Sequence, residues 1–396
     1  MATARLTRPI LIAGGGIGGL AAALALAQRG FKCRVLERKP HFSEAGAGIQ
    51  IGPNGVAILR ALGLASSLQA KVGVPQEIRV FEAKRARLLT SLPLGDAIEQ
   101  KLGAPYWTAH RADLHAALLD QAQRNPNIVV QTGFEADRLE ATSDGVRLFS
   151  LGGENVSGAA LIGADGLWSK VRRYVTDGID LRFTGRRAYR TVVATTNAPP
   201  AFQNNSVGLW LSPGAHVVHY PVRGGVDTAV VVILAGQASG EDWSNHADGA
   251  ALLASAGQLA PELRTFLAVA DTWNSWGLYD TGPLTRWTNG RVALLGDAAH
   301  PTLPFLAQGG VLALEDAVTL AAKLEQSGGD IPAAFATYAK ARIPRTTRVA
   351  ATARRNGAIY HMRGLSALTR NWVMRAAPPL RLIGQYDWLY GWKPSA

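Results

Sequence analysis

The sequence predicts an α/β protein with a Rossmann-like nucleotide-binding domain, an inserted, mainly antiparallel β-sheet and helices at the C-terminal end. Three observations predict this fold class. A glycine-rich turn joins a short apolar strand to an alanine- and leucine-rich helix near the start of the chain. Two further strand-turn-helix patterns follow downstream. Short strands separated by Pro and Gly fill residues 183–280, which is typical of an antiparallel sheet.

The length and composition of the chain are those of a globular protein with more than one hydrophobic core. Of its 396 residues, 47% are hydrophobic and 18% are charged, so neither a disordered nor a membrane-embedded chain is expected. The single cysteine, Cys33, excludes an internal disulfide and fits a reducing cytoplasm. We therefore expect a cytoplasmic protein.

The net charge of +12 raises the question of nucleic-acid binding. The basic residues are spread along the chain, however, and match no nucleic-acid-binding module. We interpret their densest run as the solvated face of a helix; it contains Arg342, Arg345, Arg348, Arg354 and Arg355. No nucleic-acid partner is predicted.

The uncharged stretch from Ile10 to Ala27 has three local interpretations: a membrane helix, a signal peptide after the basic start "MATARLTR", or a phosphate-binding turn. Each glycine inside a helix costs about 1 kcal/mol relative to alanine. The glycines of "GGGIGG" would therefore weaken a membrane helix, whereas a dinucleotide site requires them. We predict a dinucleotide site and no membrane partner.

The spacing Gly14-x-Gly16-x-x-Gly19 assigns each glycine a task. Gly14 permits the tight turn, Gly16 lets a pyrophosphate approach the backbone, and Gly19 lets the helix pack closely on the strand. The N–H groups at the start of the helix can bind phosphate oxygens. Glu37 ends the following strand, "FKCRVLE", where its carboxylate can bind both ribose hydroxyls.

Two later motifs repeat the strand-turn-helix pattern. "GAALIGADGLWSKVRR" places Asp165 and Gly166 after a strand, and "RVALLGDAAHP" places Asp297 at the same point of another. In the second motif a helix then begins at Gly309-Gly310, and its amides can stabilise negative charge on a flat ligand. Taken alone, each motif could also be an ordinary helix cap beside a tight packing contact.

In this order and spacing, the three motifs resemble the single-component FAD-dependent aromatic hydroxylases, relatives of 4-hydroxybenzoate hydroxylase. Within that family the chain is most similar to the salicylate, 3-hydroxybenzoate and 6-hydroxynicotinate hydroxylases. The similarity extends over essentially the whole chain and includes "GAGIQIGPNGVAILRALGL" (46–64), "HRADLHAAL" (110–118), "HYPVRGG" (219–225) and "YDWLYGW" (386–392).

The resemblance implies FAD as the cofactor, with no metal, and NADH or NADPH as a transient co-substrate. It implies that one oxygen atom of O2 is added, through a flavin hydroperoxide, to a small aromatic acid of the hydroxybenzoate, salicylate or hydroxynicotinate type. Two alternatives stay open: a relative acting on a larger polycyclic or heteroaromatic substrate, and a flavin-binding protein that has lost catalysis. The end of the chain soon after "YDWLYGW" favours a small substrate, and a homodimer is compatible with the sequence.

The resemblance also divides the chain into segments. Residues 1–75, 105–182 and 281–345 would form the FAD-binding domain, and residues 76–104 and 183–280 the substrate domain. Residues 346–396 would form a C-terminal helical region. Because there is no second GxGxxG, we expect no dedicated Rossmann domain for NAD(P)H.

Residue by residue, the resemblance implies an extended FAD site. Its expected members are Gly14, Gly15, Gly16, Ile17 and Gly19 at the phosphates, Glu37 and Arg38 at the adenosine, Val130 at the adenine, Arg111 and Asp297 at the ribityl portion, Asp165 and Gly166 in the second motif, and Gly309 and Gly310 at the flavin ring. Gly310 departs from the family, which usually has a small residue such as Ala there.

The substrate chemistry is expected on "HVVHYP". Strand alternation places His216, Val218 and Tyr220 on one face and His219 on the other. We expect His216 and Tyr220 about 7 Å apart at Cα, close enough to reach one substrate. A base is needed because the ring reacts far faster as a phenolate; His titrates near neutral pH, and Tyr can relay a proton. The alternative is that both residues only fill the interface between the sheet and the FAD-binding domain.

Further residues are expected around this site. Tyr106 would form a pocket wall, and Pro304 and Phe305 would lie over the flavin and keep water out. His300 and His110 would support nearby loops. For a substrate carboxylate the candidates are Arg190 and Arg223.

Overall fold

A computed structural model describes residues 6–42, 47–238, 240 and 245–394 of the chain. Their strands are β1 (Ile10–Ala13), β2 (Cys33–Leu36), β3 (Gly48–Ile51), β4 (Val72–Gly73), β5 (Glu77–Glu82), β6 (Arg87–Pro93), β7 (Trp107–His110), β8 (Ile128–Gln131), β9 (Ala136–Ala141), β10 (Val146–Ser150), β11 (Asn155–Gly158), β12 (Ala160–Gly163), β13 (Arg182–Ala194), β14 (Val207–Ser212), β15 (Ala215–Val222), β16 (Asp227–Ala235), β17 (Asn245–Ala247), β18 (Trp273–Asp280), β19 (Thr288–Asn289) and β20 (Val292–Leu294).

The helices in the same part of the chain are α1 (Ile17–Ala27), α2 (Pro53–Ala61), α3 (Ala65–Gln69), α4 (Gly95–Leu102), α5 (Arg111–Gln123), α6 (Lys170–Thr176), α7 (Gly249–Ser255), α8 (Pro261–Ala268), α9 (Gly309–Gln326), α10 (Ile331–Tyr360), α11 (Gly364–Ala376), α12 (Pro379–Gly384) and α13 (Asp387–Tyr390). None of them is both long enough and apolar enough to cross a membrane.

The first sheet brings the three sequence motifs together. Its order is β19-β20-β12-β1-β2-β8, and every pair except β19–β20 is parallel. Because β1, β12 and β20 are parallel neighbours, the turns after all three leave the same edge of the sheet. Ligands of open α/β sheets bind at this carboxyl edge. The sheet therefore places the loops at Gly14, Asp165 and Asp297 side by side.

The second sheet has eight strands in the order β17-β18-β13-β16-β15-β14-β5-β6. Its pairs are antiparallel, as the sequence predicts, except that β14 runs parallel to β5. The strands β5 and β6 come from residues 76–104 and join those of residues 183–280. One face of this sheet packs on a core that includes Phe202, Phe266 and Trp273. The other face turns toward the first sheet.

Two small sheets complete the fold. β3, β7 and β4 form an antiparallel unit, and β9, β10 and β11 form a meander. The segment boundaries inferred from the sequence stay a prediction. The boundary between residues 345 and 346 falls inside α10, a continuous helix of 30 residues.

The basic run on α10 differs from its predicted role. Arg342 is only 1% exposed, and its guanidinium contacts Glu315 at 2.8 Å and Asp316 at 2.6 Å, both buried on α9. Arg345 lies 2.6 Å from Glu315. The interpretation of the whole run as a solvated face was wrong, because the partner carboxylates are on another helix. Arg348 and Arg355 do lie on the exposed side.

Candidate active site

A cavity lies between the carboxyl edge of the first sheet and the inner face of the second. The loops of the first sheet and the helix starts next to them contribute Gly16, Ile17, Arg111, Gly166, Asp297, Gly309 and Gly310. The second sheet contributes Arg190, His216, Val218, Tyr220, Val231, Ile233 and Trp276.

The three fingerprint glycines occupy three different environments. Gly14 has φ of +106°, and a Cβ there would clash with the carbonyl oxygen of Ala164. At Gly19 a Cβ would clash with the carbonyl oxygen of Gly14, so this glycine allows helix and strand to pack. At Gly16 a Cβ would meet no protein atom within 4 Å. This open space at the start of α1 is a cradle that fits the pyrophosphate of a dinucleotide.

Glu37 is fastened to the glycine loop. Its carboxylate accepts hydrogen bonds from the backbone N–H of Gly15 at 2.9 Å and of Lys39 at 3.0 Å. The carboxylate thus lies beside the cradle, where ribose binding stays a prediction. Arg38 follows on the exposed side, and Val130 pairs with Val35 in the neighbouring strand.

A histidine that was not predicted from the sequence supports this loop. Nε2 of His115 lies 2.7 Å from the carbonyl oxygen of Gly15, and the ring is buried. His115 is four residues after Arg111 on α5, so both side chains lie on one face of that helix. The spacing within "HRADLHAAL" places His115 on the same helix face as Arg111, but it does not reveal the contact with Gly15.

Asp165 organises its own loop. Its carboxylate accepts hydrogen bonds from Ser169 Oγ and from the N–H of Val171 at the start of α6. Gly166, with φ of +77°, is the residue of the pair that lines the cavity. The buried Arg172 donates to the carbonyl oxygen of Leu167 at 2.6 Å and to that of Ala298 at 3.3 Å, and thereby joins the second motif to the third.

Asp297 lines the cavity directly, in a short 3-10 turn after β20. Burial raises the pKa of its carboxyl group, although His300, Arg111 and Arg172 act in the opposite direction. A carboxylate at this position is available to accept hydrogen bonds from ligand hydroxyl groups.

A buried ion network supports the Asp297 loop from behind. Asp316 accepts from the N–H of Gly296 at 3.0 Å, lies 2.5 Å from Nε2 of His300, and accepts from Arg342 at 2.6 Å. Burial by itself would raise the pKa of Asp316, but His300 and Arg342 lower it to about 2. His300 thus contacts the network and holds the loop, as the sequence analysis interpreted it.

The start of α9 faces the same cavity. Its first turn contains no acidic residue, and no side chain caps it. A Cβ at Gly310 would lie 2.8 Å from the end of the Ile49 side chain. The N-terminal end of α9 can stabilise negative charge on a ring in the cavity.

The alternation predicted for β15 is present in the structure. His216 and Tyr220 line the cavity, whereas the ring of His219 packs against Phe202 and Phe266 on the opposite face. A strand rises about 3.3 Å per residue, so four residues span about 13 Å and the expected Cα separation of about 7 Å was wrong. Both side chains still line the same cavity.

Burial sets the protonation states of both side chains. It lowers the pKa of His216 well below its usual range, together with His361 and Arg186, so the ring is neutral. Burial raises the pKa of Tyr220 to about 12, against the effect of Arg190. Tyr220 therefore keeps its hydroxyl proton.

Only one of the two arginine candidates faces the cavity. Arg223 forms ion pairs with Asp113 at 3.3 Å and Asp227 at 3.0 Å near the surface. Arg190 stacks on Trp276 with 3.7 Å between Cζ and the ring centroid. Burial lowers the pKa of Arg190 to about 9, so it still carries a positive charge at neutral pH.

A second cavity continues from the first beside His216. The two cavities share Gln50, His216, Val218, Pro304 and Ala307. The second is mostly apolar and has four tyrosines in its wall: Tyr106, Tyr360, Tyr386 and Tyr390. Tyr106 donates a hydrogen bond to Gln50 at 2.8 Å.

The two residues predicted to cover the flavin lie in different parts of these cavities. Pro304 lines both cavities, whereas Phe305 lines the second and packs against His216, with 5.5 Å between ring centroids. The tight contact of Phe305 with Gly357 on α10 holds its ring on that side.

Known proteins show the same organisation. Residues 7–353 match the family described as FAD binding domain. The 3-hydroxybenzoate 6-hydroxylase of Polaromonas naphthalenivorans (strain CJ2) is 40% identical to this chain and covers 97% of it, over 96% of its own length. The 3-amino-4-hydroxybenzoate 2-monooxygenase of Streptomyces cremeus is 39% identical over 96% of this chain and 94% of its own. 

Solved structures agree with these relatives. Klebsiella pneumoniae HpxO complexed with FAD and uric acid has a TM-score of 0.86 at 28% identity, covering 98% of both chains. A salicylate hydroxylase substrate complex has a TM-score of 0.82 at 25% identity, covering 98% of this chain and 96% of its own.

The fold and the cavity together define an FAD-binding oxidoreductase. The chain belongs to the single-component FAD-dependent aromatic hydroxylases, the class A flavoprotein monooxygenases. The predicted family, fold class and FAD cofactor are thus confirmed, and NAD(P)H is the co-substrate typical of this family.

Proposed function

We propose that this monooxygenase hydroxylates a small aromatic acid of the hydroxybenzoate type, with NADH or NADPH as reductant. The observation that carries the proposal is the pair of side chains on the inner face of β15. His216 and Tyr220 face the same cavity as the FAD-binding loops and the positive charge of Arg190. The names of the relatives that act on hydroxybenzoates support the same substrate class.

The cofactor is held by the loops of the first sheet. The cradle at Gly16 would hold the pyrophosphate, Asp297 and Arg111 the ribityl portion, and the start of α9 the electron-rich edge of the ring. When bound, FAD supplies the oxygen-activating redox chemistry, and NAD(P)H supplies the electrons. Glu37 and Gly15 would position the adenosine end.

The residues of the second sheet would prepare the substrate. Neutral His216 would accept the proton of the ring hydroxyl, which makes the ring electron-rich. Tyr220 keeps its proton and would donate a hydrogen bond to an anionic oxygen of the substrate. Arg190 would add positive charge between these two side chains. It pairs with Val231 on β16, and Val231 pairs with Val218, which lies midway between His216 and Tyr220 on β15.

A second candidate substrate class follows from the second cavity. Its apolar space beyond His216 would accommodate a larger ring system than a benzoate. A bicyclic heteroaromatic substrate is therefore the alternative.

The test uses the purified yellow protein with NADH and, separately, with NADPH. We expect 3-hydroxybenzoate, salicylate or 6-hydroxynicotinate to stimulate oxidation of the reduced nucleotide, with one hydroxylated product per nucleotide consumed. Urate serves as the bicyclic probe. Stimulation by urate alone would select the second candidate, and consumption without any hydroxylated product would contradict both.

Cytoplasmic location and a homodimer remain predictions, which fractionation of cell extracts and light scattering would check.

A further inference from the structure

A second buried histidine contacts the proposed base. Nδ1 of His216 lies 2.8 Å from Nε2 of His361, and the ring centroids are 5.0 Å apart. His361 is the C-cap residue of α10, and its backbone carbonyl accepts from Gly214 in the turn before β15. Since 145 residues separate the two histidines, the contact is not visible in the sequence.

A single proton is shared between these two nitrogens. A neutral imidazole carries its proton on one nitrogen only. If Nδ1 of His216 is the donor, its Nε2 has a free electron pair, as a base requires. If Nε2 of His361 is the donor, Nε2 of His216 carries the proton and cannot accept another. The protonation of His361 therefore decides whether His216 can act as a base.

The position of His361 in the fold favours the first arrangement. Nδ1 is the ring nitrogen nearest to the backbone, and here the backbone is the carbonyl end of a helix of 30 residues. The negative potential at a helix C-terminus favours an N–H group there, although Arg370 already donates to the carbonyl oxygens of Ile359 and Tyr360. With its proton on Nδ1, His361 leaves Nε2 free to accept from His216. Its Nδ1 is buried and has no hydrogen-bond partner among the described residues.

Without substrate, the surroundings keep the pair from holding an extra proton. Arg186 on β13 and Arg363 and Arg370 around α11 face His361. Burial together with these three positive charges lowers the pKa of His361 to about 3. The rings of Phe305 and Tyr360 also pack against His216. Phe305 cannot ionise, and burial raises the pKa of the Tyr360 hydroxyl far above neutral pH, so neither ring carries a charge. No carboxylate of the described residues bonds to either histidine.

We propose that His361 is a positioning residue for hydroxylation. It keeps the electron pair on Nε2 of His216 directed to the cavity. It also receives the Nδ1 proton of His216 when His216 takes the hydroxyl proton of the substrate. The inference rests on the proposed role of His216. The substrate O–H bond breaks and an N–H bond forms at Nε2 of His216. Its Nδ1–H passes to Nε2 of His361, so the added proton is held on the pair of rings. The substrate is left as the phenolate, whose negative charge balances the positive charge of the pair.

The test compares four variants of the FAD-loaded protein with 3-hydroxybenzoate as the probe: His361→Leu, His361→Gln, His216→Ala, and the double variant His216→Ala/His361→Leu. We expect His361→Leu to lower coupled hydroxylation about 10- to 100-fold at neutral pH, the range found when hydrogen-bonded partners of metal-ligating histidines are removed. The loss should recover as the pH rises and the phenol ionises unaided. His361→Gln should retain more activity than His361→Leu, because its amide oxygen can accept a hydrogen bond from Nδ1–H of His216 and so hold the same tautomer, although it cannot take the proton.

The double variant separates a joint role from a structural one. If the two histidines act as a unit, the double variant loses no more than His216→Ala alone. Losses that multiply would overturn the proposal, as would a His361→Leu variant that stays tightly coupled at neutral pH. Flavin content should match the wild type in every variant used.

Nitrogen NMR of histidine-labelled protein reads the tautomer without turnover. We expect the proton of His216 on Nδ1 in the wild type and in His361→Gln, and its partial transfer to Nε2 in His361→Leu. A proton on Nε2 of His216 in the wild type would overturn the proposal. If His216→Ala still hydroxylates with tight coupling, His216 is not the base and the proposed function fails. If His216→Ala is uncoupled and His361→Leu is unaffected, only the role of His361 is rejected.

Discussion

At the scale of single residues, β15 shows how strand geometry separates chemistry from packing. His216, His219 and Tyr220 lie within five consecutive residues, yet only His216 and Tyr220 face the cavity. His219 is enclosed by aromatic rings, and burial together with Arg79 lowers its pKa to about 3. A titratable side chain next to the site is therefore not part of it, because successive residues of a strand point to opposite faces.

This difference gives a prediction for neighbouring substitutions. Tyr220→Phe keeps the ring in its tight contact with Gly48 and removes only the hydroxyl group. A hydrogen bond to a charged group is worth about 1.5–3 kcal/mol, so coupled hydroxylation should fall about 10- to 100-fold. The lost product should be replaced by hydrogen peroxide, measured beside NAD(P)H consumption.

The matched control on the same strand is His219→Ala. It should lower the free energy of unfolding, because a buried ring is removed, and leave the ratio of product to NAD(P)H unchanged. Uncoupling in His219→Ala equal to that in Tyr220→Phe would contradict the assignment of faces.

At the scale of elements, the FAD site is formed by turns that parallel strands bring to one edge. The glycines of the first turn differ in what surrounds them: backbone at Gly14 and Gly19, open space at Gly16. One fingerprint therefore combines two requirements, close packing of α1 on β1 and room for a ligand. Close packing of α1 on β1 already matters in the protein without cofactor, whereas room for a ligand matters only when the cofactor binds.

Alanine substitutions should separate these two requirements. Gly19→Ala places a methyl group against the backbone of Gly14, and overpacking of this kind costs about 1–3 kcal/mol of unfolding free energy even without FAD. Gly16→Ala meets no protein atom and has an extended backbone that alanine adopts, so apoprotein stability should change by no more than about 0.5 kcal/mol.

The affinity for FAD should be lowered more by Gly16→Ala than by Gly19→Ala, the reverse of their effects on stability. The added methyl group of Gly16→Ala fills the cradle, and we expect the dissociation constant of FAD to rise about tenfold or more, which corresponds to about 1.4 kcal/mol. Fluorescence titration of the apoprotein with FAD measures it. A Gly16→Ala variant that binds FAD as tightly as the wild type would show that the pyrophosphate lies elsewhere.

At the scale of the whole molecule, the C-terminal helices reach back to the loops of the first sheet. Arg342 on α10 binds Asp316 on α9, and Asp316 holds both His300 and the N–H of Gly296 in the loop of Asp297. Farther along, the end of α10 contacts β15 through His361. The helix α10 therefore touches both the cofactor side and the substrate side of the cavity.

The network at Asp316 predicts a specific acid dependence of stability. The folded pKa of Asp316, about 2, is below its value in an unfolded chain, so its stabilising effect is complete above about pH 4 and is lost as the pH falls toward 2. The lost contribution is about 2 kcal/mol. Urea unfolding of the wild type and of Asp316→Asn measures it between these pH values.

The difference in unfolding free energy between the two proteins should shrink by that amount as the pH falls. A constant difference would mean that Asp316 is not held as a carboxylate by His300 and Arg342. Asp165 is present in both proteins, so its raised pKa cancels in the comparison.

The sequence by itself determined the local elements that short-range chemistry specifies. The glycine spacing defined the turn after β1, the apolar runs defined the strands that precede Asp165 and Asp297, and alternation separated His216 from His219. Contacts between distant segments were decided only by the tertiary structure. The pairing of Arg342 with Asp316, the support of Gly15 by His115 and the contact of His216 with His361 all join residues far apart in the chain. No periodicity encodes these contacts, because each depends on how separate helices and sheets pack, and the same packing buried part of a basic run that the sequence presented as a solvated face.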